Sequence, residues 1–252
     1  MEVNNNNIEK LMLDHRTIRS FTTEKLTDEQ VDHLLQVAQR TATSHYMQAY
    51  SVIRIKAQAQ LDRLSKIGNH KFTAGEELVI FIVDQHRNVD LAKKSGAKID
   101  YLVNFDRFLA GVMDASLAAQ SLTLAAESEG LGAVIMGSYL DDAEQMIEVL
   151  DLPMYTFPAL GVVIGHPNEK PQQKPRLPKP IFQMTDRYQL VENYDEQMDK
   201  FDETVHAYYN ERAGSPRQES FSELIARFAS HGNPKRNELY RLITQQGFKL
   251  NN

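Results

Sequence analysis

The chain has 252 residues, enough to bury a sizeable core in one large domain or two small ones. Its net charge of −6 argues against nucleic acid, whose binding wants a basic surface. The lack of cysteine excludes disulfides, thiolate catalysis, iron–sulfur clusters and cysteine-based zinc sites. Apolar runs such as residues 78–83 are too short to span a bilayer, and MEVNNNNIEK lacks the layout of a signal peptide. A cytoplasmic protein with no membrane partner is therefore expected.

Residues 8–13 form a short apolar-periodic segment that predicts a helix and runs into His15-Arg16-Thr17-Ile18-Arg19. Thr27 with Gln30 three residues on predicts a capping box, followed by Val31, Leu34, Leu35 and Ala38 at helical spacing and a fading of the helix near Arg40. Residues 41–48 read as a polar loop and residues 50–55 as a strand. Leu61, Leu64 and Ile67 mark a helix closed by Gly68. Residues 78–83 are apolar on both faces, as in a central strand.

A long helix is expected over residues 99–129. Its apolar residues Leu102, Phe105, Leu109, Val112, Met113, Leu117 and Leu124 lie on more than one face, which predicts a buried central helix ended by Gly130 and Gly132. Strands are expected at residues 133–136 and 160–165, with a helix at 141–150 between them. The connector 167–180 holds five of the nine prolines and is expected to lack regular structure. Beyond it, helices near residues 196–211, 221–228 and 237–246 are charged and weakly apolar. The predicted fold is α+β: a mixed sheet with helices on both faces and a long buried central helix. Residues 1–180 form the core. Residues 181–252 form a helical excursion of the same domain, packed on the core or on a second subunit.

Four segments could carry chemistry. His15-Arg16-Thr17-Ile18-Arg19 puts two guanidiniums and a hydroxyl within five residues, and arginine forks match phosphate oxygens; from spacing alone a solvated turn pairing with acids is the commoner reading. Lys174-Pro175-Arg176-Leu177-Pro178 holds two cations apart on fixed φ angles, as an anion clip or a basic surface linker would. The loop from Thr43, Ser44 and His45 to Gln48 offers hydroxyls and an amide to a polar ligand, or merely caps itself. Ile135-Met136-Gly137-Ser138 ends a strand in residues that expose backbone N–H groups to a flat ligand, or simply follows a helix C-cap. No histidine spacing suits a metal, and no nucleophile elbow or phosphate-binding loop of the NTPase kind is present.

Taken in order, these segments resemble the nitroreductase superfamily, in particular its NADPH flavin reductase and oxygen-insensitive NADPH nitroreductase branch. The resemblance rests on His15-Arg16-Thr17-Ile18-Arg19-Ser20-Phe21, Tyr46-Met47-Gln48-Ala49-Tyr50-Ser51 and Ala125-Ala126-Glu127-Ser128-Glu129-Gly130-Leu131-Gly132. It continues through Leu160-Gly161-Val162-Val163-Ile164-Gly165-His166-Pro167 and Lys174-Pro175-Arg176-Leu177-Pro178, and covers about residues 8–247. It implies a homodimer with two FMN sites at the interface, and ping-pong transfer from NADPH, or NADH, to flavins, nitroaromatics or quinones. The flavin carries the chemistry, so no catalytic side chain is implied.

By the same resemblance, His15, Arg16, Thr17 and Arg19 hold the ribityl-phosphate end of FMN, and Lys174 and Arg176 close on it. Thr43, Ser44, His45 and Gln48 line the site from the partner subunit. Asn69 lies at the ring edge, and Ile135, Met136, Gly137 and Ser138 lie along the ring with a backbone N–H near N5. Arg212 and Arg217, with Arg236 beside them, are implied to read the 2′-phosphate of NADPH. The chain departs from the branch at four places. Thr17 stands for serine, Thr43-Ser44-His45 for a serine run, Asn69 for glutamine, and Gly137-Ser138 for Gly-Gly. Relatives with other flavin chemistry, such as dehalogenation or flavin destruction, and non-enzymatic FMN binders share the fold, since fold does not fix function.

Overall fold

A computed structural model describes residues 7–211 and 218–250. The chain divides into two compact units. The first joins residues up to 13 with 17–169 and 233 onward; the second joins residues 14–16 with 170–232. The division falls after Glu169, and residues from 233 onward belong to the first unit.

In the first unit, helix α1 (Asn7–Leu13) buries none of its residues. Helix α2 (Asp28–Gln39) starts at the expected capping box. Gln30 N donates to Thr27 Oγ1 at 3.2 Å and Thr27 N donates to Gln30 Oε1 at 2.9 Å. Strand β1 (Tyr50–Ile55) has the expected bounds. Helix α3 (Gln58–Gly68) ends differently from expectation. Asn69, not Gly68, takes the left-handed turn, with φ of 51°. Gly68 is small for another reason: a Cβ there would stand 2.8 Å from the Tyr139 ring.

Strands β2 (Glu77–Asp84), β3 (Gly132–Met136) and β4 (Thr156–Gly165) complete a four-stranded sheet in the order β1-β2-β4-β3. The α+β architecture stands, but the three strand pairings of this sheet are antiparallel, where a mixed sheet was expected, and an isolated bridge between Asn104 and Lys249 is parallel. β2 and β4 are the interior strands and are buried on both faces. β4 begins four residues earlier than its apolar run implies. Pro158 has no N–H for the ladder, and the register shift between Phe81 and Ile82 absorbs it. One face packs Leu78, Ile80, Val134 and Val163 against α3 and the helix α6 (Ala143–Val149). The other packs Val79, Phe81, Ala133 and Val162 against α2 and the long helix α5 (Phe105–Ser128).

α5 corrects two expectations. It starts at Asn104, whose side chain accepts from Arg107 N at 2.9 Å, not near residue 99. The large apolar residues expected inside face outward: Phe105, Leu109, Met113 and Leu117 are 47%, 38%, 58% and 50% exposed. The buried face is mostly small, with Ala110, Gly111, Ala115, Ala118, Ala119 and Ala126 beside Phe108 and Leu122, and at Gly111 the helix lies close against the sheet. A Cβ on Gly111 would meet Val83 Cγ1 at 2.7 Å and Ala49 O at 2.8 Å. Among the described residues α5 alone is long and apolar enough to cross a membrane, but 56% of its most apolar window is buried, as in a core helix.

Helix α4 (His86–Lys94) follows β2. The expected helix over 141–150 is split: a 3-10 segment (Gly137–Asp142) precedes α6, and Asp142 Oδ1 accepts from Gln145 N at 3.3 Å at the junction. In the second unit the connector is irregular until Lys179, where the helical turn α7 (Lys179–Phe182) places Pro180 in its first turn. There the missing N–H has no bond to lose. Helix α8 (Tyr194–Glu211) buries Met198, Phe201, Val205 and Tyr209 on one stripe. Leu177, Ile181 and Phe221 of helix α9 (Phe221–Ser230) pack on it. Back in the first unit, helix α10 (Leu239–Gln245) seats Leu242, with Phe248 beyond it, against Val83, Phe108 and Phe157.

Candidate functional site

The expected ring-side residues are assembled within the first unit. Ser138 Oγ donates to Gly68 O at 3.0 Å, which joins the end of β3 to the end of α3. Asn69, next after Gly68 and exposed, therefore stands beside Met136, Gly137 and Ser138. A Cβ on Gly137 would meet nothing within 4 Å, so this backbone borders open space. Ile135 is exposed on the edge strand and Met136 is buried in the core. Tyr139 anchors the segment from below. It is fully buried, and a Cβ on Gly161 would stand 2.4 Å from its ring. Burial, with Glu76 adding, pushes its phenol far above the ordinary range. Its hydroxyl has no hydrogen-bond partner among the described residues.

Thr17 and Arg19 lie beside the opposite end of β3. Ile18 N donates to Ala133 O at 3.0 Å, and Ile18 packs so tightly that a Cβ on Gly132 would be 2.7 Å from its own. Arg19 N and Ser20 N both donate to Glu169 Oε1, at 2.5 and 2.9 Å, so one anionic oxygen already collects two adjacent backbone donors. The Arg19 side chain is left exposed.

His15, Arg16, Lys174 and Arg176 belong to the second unit. Arg16 pairs with Asp14 Oδ2 at 2.8 Å and donates to Asp14 O at 2.9 Å. Its hydrogen bond and charge, with Lys170 adding, hold the Asp14 carboxyl below its usual range. The basic clip is positioned by alternation. Leu177 packs on α8 while Lys174 and Arg176 remain exposed, and Arg176 Nη1 donates to Lys174 O and Pro175 O at 3.0 and 3.2 Å.

Thr43, Ser44, His45 and Gln48 stand elsewhere on the first unit. Their loop leads into β1 at the far edge of the sheet. Thr17 and Arg19 lie along β3 at the other edge and the other end. Strand geometry puts these groups about 14 Å apart across the sheet and roughly 25 Å apart along it. The loop is strained: His45, Tyr46 and Gln48 take φ of 53°, 58° and 47°. Asp114, a residue that sequence reasoning missed, holds it. This carboxylate on α5 is 2% exposed and accepts from Ser44 N at 2.9 Å and Ala49 N at 3.1 Å. Arg107, two turns earlier on the same face of α5, lies with its Nη1 3.1 Å from His45 Nδ1. The legible signal for Asp114 is a lone acid on the small-residue face of an apolar helix.

Arg212 and Arg217 lie outside the described residues. Arg236 is engaged: its Nε donates to Asp141 Oδ1 at 2.5 Å and its Nη2 to Gly137 O at 2.6 Å. Among the described residues no cluster of three or more His, Asp or Glu is placed to hold a metal ion.

The model of the nitroreductase family matches residues 12–166, and that of the nitroreductase family C-terminal domain matches residues 174–251. An FMN reductase (NADPH) of Bacillus subtilis is 35% identical over 98% of this chain and 100% of its own length. The solved NfrA1 nitroreductase of B. subtilis superposes with a TM-score of 0.89 at 34% identity, covering 96% of this chain and 99% of that one. The NADPH:FMN oxidoreductase of Vibrio harveyi, solved in complex with NAD+, superposes with a TM-score of 0.82 at 28% identity, over 96% and 99% of the two chains.

Proposed function

The chain belongs to the nitroreductase family, and from that premise we propose that it is an NADPH-dependent FMN oxidoreductase that passes electrons to flavins, nitroaromatics or quinones. The observation that carries the reading is the Ser138–Gly68 hydrogen bond, which gathers Asn69, Ile135, Gly137 and Ser138 at one sheet end. These residues suit FMN. A backbone without Cβ and an exposed isoleucine can take a flat ring, and exposed cations suit a phosphate. Bound FMN supplies two-electron transfer between NADPH and the acceptor.

The chain's own residues bind and orient. The amide of Asn69 and the backbone at Gly137 and Ser138 fix the ring. Thr17, Arg19, His15, Arg16, Lys174 and Arg176 hold the phosphate end, and Arg212 and Arg217 read the 2′-phosphate of NADPH. No side chain is assigned a proton transfer, since bound flavin carries the chemistry.

The protein works as a cytoplasmic homodimer. Two features support a second copy. Thr43, Ser44, His45 and Gln48 lie too far from Arg19 in one chain to share a ligand with it. Phe105, Leu109, Met113 and Leu117 form an unpartnered apolar stripe about 18 Å long on α5. Leu117→Glu should yield a monomer in sedimentation; a wild-type chain that stays monomeric with FMN bound would sink the dimer.

The direct test of function is spectroscopic and kinetic. The purified protein should be yellow, bleach with NADPH without oxygen, and recolour on adding a quinone or nitroarene. Arg176→Ala should weaken FMN about tenfold or more, the scale of one lost charge-assisted bond. Failure to take up added FMN would overturn the reading.

A further inference from the structure

The geometry points to Arg236 as a positioning residue for the peptide between Gly137 and Ser138, not as a reader of the coenzyme phosphate; this rests on the FMN reading above. Nη2 and Nε of its guanidinium engage Gly137 O at 2.6 Å and Asp141 Oδ1 at 2.5 Å, two acceptors of one 3-10 segment (Gly137–Asp142). A planar fork held at both ends is fixed in orientation, which a lysine ammonium cannot reproduce.

Gly137 has no side chain, and nothing stands within 4 Å of its missing Cβ, so side-chain packing does not set this peptide. Its carbonyl is what is held. Because a peptide unit is planar, pinning Gly137 O also sets the direction of Ser138 N–H, the donor on the ring side. From the other side, Ser138 Oγ holds Gly68 O at 3.0 Å. The short helix carrying Arg236 (Pro234–Glu238) is itself docked. Lys235 pairs with Asp142, and Asn233 Nδ2 donates to Asp141 O at 3.4 Å. To read a 2′-phosphate, Arg236 would have to release both acceptors, and the phosphate would then face the Asp141 carboxylate, a like charge.

Arg236→Ala, Arg236→Lys and Asp141→Asn test this, and because Arg236 is 41% exposed at its side chain the fold should survive each. In FMN-free protein, amide hydrogen exchange over residues 138–142 should quicken severalfold in Arg236→Ala and less in Arg236→Lys. In loaded enzyme, the visible flavin band should shift. kcat should fall by about tenfold with NADPH and with NADH alike, the loss expected for one charge-assisted bond. The preference between the coenzymes should hold within about twofold. A loss confined to NADPH, with exchange and spectrum unchanged, would make Arg236 a phosphate reader and overturn the proposal, as would three unchanged variants. If wild-type protein took up no FMN, the FMN reading and with it the ring-side role would fall, a result the exchange experiment reports separately.

Discussion

Two loops of the first unit are held by opposite chemistries. Residues 44–49 are clasped from beneath by one buried carboxylate, Asp114, through two backbone N–H donors. The segment 137–142 is clasped from outside by the exposed cations Lys235 and Arg236 and by a serine hydroxyl. The first loop is strained at His45, Tyr46 and Gln48 and needs a strong anchor, because left-handed conformations of such residues cost on the order of 1 kcal/mol or more each. The second segment takes no such conformation, and exposed contacts of smaller energy suffice. A buried anchor is insensitive to salt and intolerant of substitution; a surface clasp is the reverse.

The largest expected effect breaks the first clasp. Asp114→Ala leaves the N–H groups of Ser44 and Ala49 without their acceptor in a buried site, at about 1–3 kcal/mol each. A loss of roughly 2–5 kcal/mol in urea unfolding is expected, with faster hydrogen exchange at residues 44–49. Asp114→Asn, which keeps one acceptor oxygen, should cost about half as much. Equal stability of Asp114→Ala and wild type would show that the loop holds itself.

A second substitution separates ligand space from packing. Gly137→Ala enters open space and Gly161→Ala enters the Tyr139 ring, so their effects should cross. Gly137→Ala should leave the unfolding midpoint unchanged and weaken FMN about tenfold, near 1.4 kcal/mol. Gly161→Ala should destabilise by about 1–3 kcal/mol through overpacking. Unaltered FMN binding in Gly137→Ala would remove the ring from this backbone. Smaller still is salt: raising ionic strength from 0.05 to 0.5 M should loosen residues 137–142, whose exposed pairs are worth at most about 1 kcal/mol each, and leave residues 44–49 untouched.

What the sequence made legible follows the same division. Local rules found the capping box at Thr27, the bounds of β1 and the existence of both interior strands, though not the start of β4, because cap hydroxyls and β-branched runs act within a few residues. Periodicity misled at α5. It sorts apolar from polar, whereas the inner face of this helix is mostly small residues with Phe108 and Leu122 among them, and the closeness of Val83 and Ala49 O to Gly111 favours that face going in. The candidate site was legible as motifs, but its second layer was not. Asp114 and Glu169 act on backbone groups 70 and 150 residues away, and Asp141 on the Arg236 guanidinium 95 residues away, through contacts that exist only once the sheet has formed. Arg236 was visible as a cation, but its engagement with Gly137 O was not.

The smallest expected effect concerns Asp14, which pairs with the candidate phosphate ligand Arg16 at 2.8 Å. The carboxylate is fully exposed, so water and salt screen the pair. Its sign is still definite. Arg16 holds the Asp14 carboxyl below its ordinary range, so the pair's contribution is complete above that range and is lost as pH falls through the lowered pKa. Near neutral pH, Asp14 therefore competes with any phosphate for the same guanidinium. Asp14→Asn removes the competitor and should tighten FMN by less than about threefold, with the gain shrinking at high salt. In wild type the same gain should emerge only under acid conditions, where Asp14 takes up its proton. Fluorescence titration of FMN against wild type and Asp14→Asn at low and high salt reads the difference. Weaker binding in Asp14→Asn would mean that Asp14 serves to hold Arg16 in position for the phosphate, and the pair would then resemble the buried clasp at Asp114 more than the exposed one at Arg236.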